Sequence, residues 1–200
     1  MDILNLIRSR RSIRKFKKSN IPAKTIEKIL EAGRWAPSGL NNQPWQFMVL
    51  GGTQKDVLAK YTHYGYIIKG ADKAILVFLD KKSSYNQEKD LMAIGACIQN
   101  MLLYIHSIGL AACWLGEILN KRSKIKNFLK LPQNLELEAV LALGKPLIYP
   151  KKGKRKALRK LFIHPRISAF SATDIFSVWA DPPLAEVPRY SASNYNYANM

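Results

Sequence analysis

Apolar residues along this chain repeat with two different periods, and the alternation between them outlines a fold. Ile3, Leu6 and Ile7 follow Asp2 at helical spacing as far as Ser9, which predicts a first helix capped by Asp2. Pro22, then Ile26, Ile29 and Leu30, then Ala32-Gly33 give a second helix its start, its buried face and its stop. Trp45 to Leu50 reads as a strand closed by Gly51-Gly52, and Gln54 to Tyr61 as a short helix. Ala74 to Leu79 is apolar without interruption, as a buried strand would be. From Asp90 to Ser107, the residues Leu91, Ile94, Ala96, Ile98, Met101, Leu102 and Ile105 leave almost no polar face. This predicts a central helix, which Gly109 ends. Ala111 to Leu115 and Leu137 to Leu143 are the remaining strand candidates, separated by a basic helix between Ser123 and Leu129. Helices alternating with strands predict helices packed on a central sheet.

Composition narrows the class. With 200 residues, 48% of them hydrophobic, the chain can bury a substantial core, which excludes disorder over its full length. No apolar stretch approaches the roughly 20 residues of a membrane span, and no basic-then-apolar leader opens the sequence, so the expectation is a cytoplasmic protein without a membrane partner. Cys97 and Cys113 form neither a C-x-x-C pair nor a metal spacing with His63, His106 or His164, and are expected as buried thiols.

Charge changes the picture more. The 32 Lys and Arg outweigh 14 Asp and Glu to give a net +18, which invites anionic partners. Most of the excess lies in Arg8–Lys18, Lys121–Lys130 and Lys145–Lys160. Residues 167–200 instead carry Arg189 against Asp174, Asp181 and Glu186, and are rich in Ser, Pro, Tyr and Asn. The expected division is a domain over 1–166 and a C-terminal extension over 167–200, either an arm or a partly disordered end.

Three stretches carry candidate chemistry. Arg10-Arg11-Ser12-Ile13-Arg14 sets a hydroxyl between guanidinium groups, a donor set for a phosphate or a polarised carbonyl; its alternative is a solvated basic turn. Between Trp35 and Trp45, Pro37, Gly39 and Pro44 fix a tight path while Ser38, Asn41, Asn42 and Gln43 offer adjacent polar side chains. Amides both donate and accept, which matches a planar heterocycle better than a phosphate alone; the alternative is a loop that caps its neighbours. Cys113-Trp114-Leu115-Gly116-Glu117 ends a buried strand, where Gly116 lets backbone N–H groups approach a ligand, or simply turns the chain into a helix.

In this order the three stretches resemble the FMN-dependent nitroreductase family. Its arginine-rich Ser motif appears as Arg10 to Phe16, and its Ala-Pro-Ser loop with the Asn-Gln-Pro-Trp ending as Ala36 to Trp45. Its central helix and following Trp-x-Gly appear as Ile98 to Leu103, His106, Gly109-Leu110 and Trp114-Leu115-Gly116, and its C-terminal segment as Leu143 to Pro146 with the basic stretch to Leu161. The resemblance covers residues 1 to 164 and implies an α+β, three-layer α/β/α fold with a central, mostly antiparallel sheet in an intertwined homodimer. It further implies that Arg10, Arg11, Ser12 and Arg14 hold FMN through phosphate, ribityl chain and pyrimidine edge, with Arg155 as a second phosphate arginine. Pro37, Ser38 and Asn42 would line the flavin from the partner subunit, the backbone at Leu115 and Gly116 would face its N5 region, and Lys69 would stand near its pyrimidine edge. The chain departs from the family at Gly153, where a lysine is common, so Lys152 or Lys154 would substitute. It also lacks a long helical insertion beyond Gln54 to Tyr61.

The implied activity is NAD(P)H-dependent reduction of a nitroaromatic, quinone or similar small-molecule electron acceptor by a ping-pong route, with NADH or NADPH as donor. Dehalogenation and dehydrogenation are the other flavin reactions of the family. No G-x-S-x-G, H-E-x-x-H or G-x-G-x-x-G is present, and no catalytic base or metal ligand is assigned, because a flavin carries the redox step itself. The competing class is a basic nucleic-acid-binding protein, but no RNP, KH, zinc or helix-turn-helix signature supports a specific nucleic-acid partner.

Overall fold

The Asp2 side chain accepts a hydrogen bond from the Asn5 N–H at 3.3 Å, and the helix it caps, α1, runs Ile3–Ser9 as its spacing predicts. The computed structural model describes residues 2–150 and 153–163; residues through Gly153 form one compact unit, and a second begins at Lys154. The expected boundary at 166/167 and the acidic extension therefore lie outside the described residues. A two-residue strand β1, Phe16–Lys17, follows α1. Helix α2, Ala23–Arg34, starts after Pro22 and turns Ile26, Ile29 and Gly33 inward. Strand β2 is Trp45–Gly51, α3 Gly52–Leu58, α4 Gly65–Gly70, β3 Lys73–Asp80 and α5 Gln87–Ser107. Strand β4, Ala111–Leu115, has the bounds expected of it; α6 is Arg122–Phe128 and β5 Leu135–Pro146.

Among the described residues all strand pairs are antiparallel. β3 lies between β2, in register Trp45↔Leu79 to Gly51↔Lys73, and β5, whose other partners are β4 and β1. Side chains alternate along a strand. Ile75 and Val77 of β3 and Ala139, Leu141 and Leu143 of β5 therefore meet α2 and α5. Ala74, Leu76 and Phe78 of β3 and Val140 and Ala142 of β5 meet Leu58 of α3, Ile67 and Ile68 of α4 and Ile125 of α6 on the opposite face. This is the expected three-layer arrangement, and it explains why 74–79 is apolar at every position.

Two local departures have physical causes. The sequence expectation stops at Tyr61, yet a further turn of helix, α4, buries Ile67 and Ile68. Six residues with two apolar positions are too short to register as a periodicity. Strand β1 is likewise too short to see, and exists because the β5 ladder extends to Lys145 and Pro146.

Helices α2 and α5 meet at a glycine. A Cβ on Gly33 would stand 2.9 Å from Met101 Cγ and 3.0 Å from Cys97 Sγ. Gly33→Val is expected to lower unfolding free energy by about 1–3 kcal/mol, the cost of overpacking a filled core, read from urea denaturation.

A bulge in the β3/β5 ladder leaves Glu138 unpaired, since Val77 opposes Ala139 while Phe78 opposes Leu137. Burial pushes its carboxyl up to about 7, against the pull of the Arg122 guanidinium, whose Nη2 donates to Oε2 at 3.0 Å. An acid with a raised folded pKa stabilises the fold while protonated. That contribution is complete below the unfolded glutamate value of about 4.3 and is lost as pH rises through about 7. His106 titrates with the opposite sign nearby, so the comparison must be between variants: Glu138→Gln is expected to gain stability relative to wild type between pH 5 and about 8, by on the order of 1–3 kcal/mol, in thermal melts.

Candidate functional site

The arginine segment lies beside β4. The Arg10 N–H closes α1 on the Leu6 carbonyl, and the Ile13 N–H donates to Ala112 O at 3.1 Å while the Ile13 side chain plugs the core. Arg10, Arg11 and Ser12 are half-buried and Arg14 is exposed. Arg11 Nη1 donates to the Arg8 and Arg10 carbonyls at 2.6 and 2.9 Å, which fixes the guanidinium, yet its Nε is buried with no partner. A Cβ on Gly153 would stand 3.0 Å from that Nε and 3.1 Å from Cζ. Arg11 is therefore the group beside Gly153; of the two lysines expected to substitute for the family lysine, Lys152 lies outside the described residues and Lys154 opens the second unit. Burial, then the charges of Arg10 and Arg11, hold the His106 pKa below its ordinary value. Its Nε2 lies 2.8 Å from Ser9 Oγ. Cys97 and Cys113 are buried thiols as expected, Cys97 pushed up to about 12 by burial.

The second stretch folds as a strained loop. Leu40, Asn41 and Gln43 have φ of +54°, +52° and +47°, a region that side chains normally avoid. Side chains hold it there. Gln43 N–H donates to Ser38 Oγ at 3.0 Å, and Asn42 Nδ2 donates to Ser83 O at 3.0 Å and to Asp90 Oδ1 at 2.8 Å. With both amide hydrogens so engaged, Asn42 Oδ1 is left buried without a partner. Asp90 is fully buried, and its other oxygen accepts from Ser84 Oγ, Tyr85 N–H and Asn86 N–H. Burial alone would raise its pKa, but these hydrogen bonds together outweigh it and hold the carboxyl ionised below its usual range. Sequence reasoning missed Asp90, treating it as the start of a helix; a charge inside the first turn of so apolar a helix was the available signal. Pro37 is exposed and Ser38 half-buried. Of the flanking tryptophans, Trp45 is core while Trp35 is exposed, its Nε1 donating to Glu31.

At the end of β4, Leu115 is buried and Gly116 is exposed, with nothing within 4 Å of where its Cβ would be. Glu117 ties this corner to the chain before α4 by accepting from the Thr62 hydroxyl and the His63 N–H. Lys69 is exposed on α4, and its carbonyl accepts from the buried ammonium of Lys55 at 2.9 Å. Arg155 is exposed in the second unit, its Nη1 bonded to the Lys154 carbonyl.

One chain does not bring all these groups together. Arg10 and Arg11 face a small pocket shared with Leu102, Ile105 and His106 of α5, whereas Asn42 is anchored on Asp90. At 1.5 Å rise per residue, the 12 to 16 residues between those anchors put about 18–24 Å of helix between them.

Comparison with known proteins agrees in kind. A model of the nitroreductase family matches residues 7–73 and 52–145. A crystal structure from Desulfovibrio desulfuricans, provisionally named a nitroreductase and solved in complex with FMN, is 43% identical, with a TM-score of 0.79 over 84% of this chain and 98% of that one. A protein of Archaeoglobus fulgidus provisionally named NADH dehydrogenase/NAD(P)H nitroreductase is 34% identical over 159 residues, covering 76% of this chain and 88% of its own. An iodotyrosine deiodinase of Thermotoga neapolitana is 25% identical over 170 residues, covering 72% and 88%.

Proposed function

Given that this chain belongs to the nitroreductase family, we propose that it is a homodimeric, FMN-dependent oxidoreductase that takes electrons from NADH or NADPH and delivers them to a nitroaromatic, quinone or similar electrophilic small molecule. The observation that carries this reading is where polar atoms are left orphaned. Among the described residues three buried side-chain atoms lack a partner, and two of them, Arg11 Nε and Asn42 Oδ1, belong to the two segments assigned to FMN. A donor held among arginines suits a phosphate, and an amide oxygen with its NH₂ already engaged suits the N–H edge of a planar ring. Buried orphans of this kind cost stability unless a ligand satisfies them.

The about 18–24 Å between the two anchors on α5 supports a site built from two copies. Antiparallel pairing of the α5 helices would set Asn42, Ser38 and Pro37 of one subunit beside Arg10, Arg11, Ser12 and Arg14 of the other. Leu91 and Met92 on α5, and Ile3, Leu4 and Ile7 on α1, are exposed in the single chain and supply apolar surface for that pairing.

In this reading Arg10, Arg11 and Arg155 neutralise the phosphate, Ser12 bonds the ribityl chain, and Arg14 and Lys69 stabilise negative charge on the pyrimidine edge of the reduced ring. The open space at Gly116 lets the backbone of Leu115 and Gly116 lie against the N5 region. Bound FMN would supply the redox chemistry between nicotinamide donor and acceptor; the side chains bind and orient, and none is needed as a base. Donor and acceptor would use the same face in turn, which gives ping-pong kinetics. Purified protein is expected to be yellow and to bleach with NADH or NADPH. A colourless protein that cannot be reconstituted with FMN overturns the reading. The deiodinase relative makes reductive dehalogenation the second candidate. A screen of nitroaromatics, quinones and halogenated phenols against the reduced enzyme separates the two.

A further inference from the structure

The third orphaned atom, Ser19 Oγ, belongs to a residue that lines a cleft containing none of the residues assigned to FMN. This cleft, about 600 Å³, opens where the Lys18–Pro22 turn and the start of α2 meet the last turn of α5 and the end of β5. That volume is within the range of small-molecule sites. Lys18, Lys28 and Lys145 converge on it, and none of the three is in an ion pair among the described residues. Among the described residues no Asp or Glu lines it. Asp72, which precedes β3, touches this turn from outside the cleft lining; its carboxylate accepts from the Ile21 N–H at 2.8 Å and pairs with Lys73 at 3.3 Å.

Two further features add positive potential. The twelve-residue α2 starts here after Pro22, with no side-chain cap and no acid in its first turn, so its own sequence does not offset its positive end. Lys145 also stands directly opposite Lys17 in the β1/β5 ladder, a like-charge pair that is unfavourable unless an anion lies nearby. The inner wall is apolar and aromatic, formed by Ile21, Ile108, Leu110 and Tyr104. A basic rim over such a wall distinguishes the cleft from a merely solvated lysine patch.

We infer that this cleft is a second ligand site, taking a phosphomonoester with a flat, partly apolar body, of the size of a nucleoside monophosphate. The phosphate lies between the three ammonium groups and the α2 N-terminus, where rotation of the Ser19 side chain gives its hydroxyl an acceptor, and the body of the ligand rests on Tyr104 and Ile108. None of the residues assigned to FMN lines this cleft, and the inference does not depend on the flavin reading.

The test is calorimetric titration of the full-length, FMN-loaded protein with AMP and with inorganic phosphate at low ionic strength. AMP is expected to bind once per chain, at least about tenfold more tightly than phosphate, which lacks the apolar body. Lys28→Ala and Lys145→Ala should each weaken AMP about 3–10-fold and Ser19→Ala about 3-fold. Lys24→Ala, on the same helix but outside the cleft, should change nothing, and bleaching by NADH should stay constant in all four variants. Three results overturn the inference: no saturable binding of either probe, an equal loss in Lys24→Ala, or AMP binding that survives the cleft substitutions and falls with Arg11→Ala. Equal affinity for phosphate and AMP overturns the nucleotide assignment. A protein without flavin is still titratable, so failure of this site and failure of the flavin reading are told apart.

Discussion

Arg11→Ala is expected to be purified largely without flavin, with FMN affinity lowered at least about 100-fold, as the loss of two charge-assisted hydrogen bonds to a phosphate would require. The Arg11 guanidinium is already fixed by the Arg8 and Arg10 carbonyls, so it meets the phosphate with little ordering cost. Arg11→Lys keeps the charge but loses the fork and the Nε donor, and should recover only part of the affinity. Arg10→Ala and Arg155→Ala are expected to lose FMN as well. Flavin absorbance after gel filtration reads the outcome, and far-UV circular dichroism checks that the fold survives. Full flavin retention in all three alanine variants would remove these residues from the phosphate site.

Asp90→Ala should be the most destabilising single change near the site. It leaves the Asn42 amide, the Ser84 hydroxyl and the Tyr85 and Asn86 N–H groups without their common acceptor. At roughly 1–3 kcal/mol for each buried group that stays unsatisfied, a loss of at least about 3 kcal/mol is expected in denaturant unfolding. Asp90→Asn keeps the shape but brings a second NH₂ toward Asn42, so it should weaken FMN binding by more than its cost in stability explains. The acid limb of the stability profile follows from the same carboxylate. Its pKa is lowered in the fold, so its contribution is present above the unfolded value of about 3.9 and is lost as pH falls through the folded one. Thermal melts should therefore show wild type losing more stability than Asp90→Asn on acidification below about pH 4; parallel curves would show that Asp90 is not the group responsible.

Much of this was legible along the chain. The apolar run at 74–79, the Asp2 cap and the strand at 111–115 follow from local pattern, because alternation, capping and burial on both faces each leave a mark within a few residues. The motif residues were legible too, as types suited to a phosphate and a planar amide edge. Their arrangement was not. Nothing local to Asn42 announces that Asp90, 48 positions on, takes both its orientation and its spare donor, and nothing near Gly153 announces that Arg11 occupies the space beside it.

The sequence by itself determined the longer elements, the two-sided burial of the sheet and the chemical types gathered in the candidate site, because these depend on periodicity and composition over short windows. Only the tertiary structure decided which atoms are left unsatisfied. Arg11 Nε, Asn42 Oδ1 and Ser19 Oγ are buried without partners, which becomes visible only once the chain is packed. It also decided that the arginine segment and the Asn42 loop are fixed near opposite ends of α5, since a helix is rigid and about 1.5 Å per residue long. The surplus of positive charge is countable along the chain. That part of it converges on a cleft with no acid among its described lining residues follows from how α2, α5 and β5 pack, which no local pattern encodes.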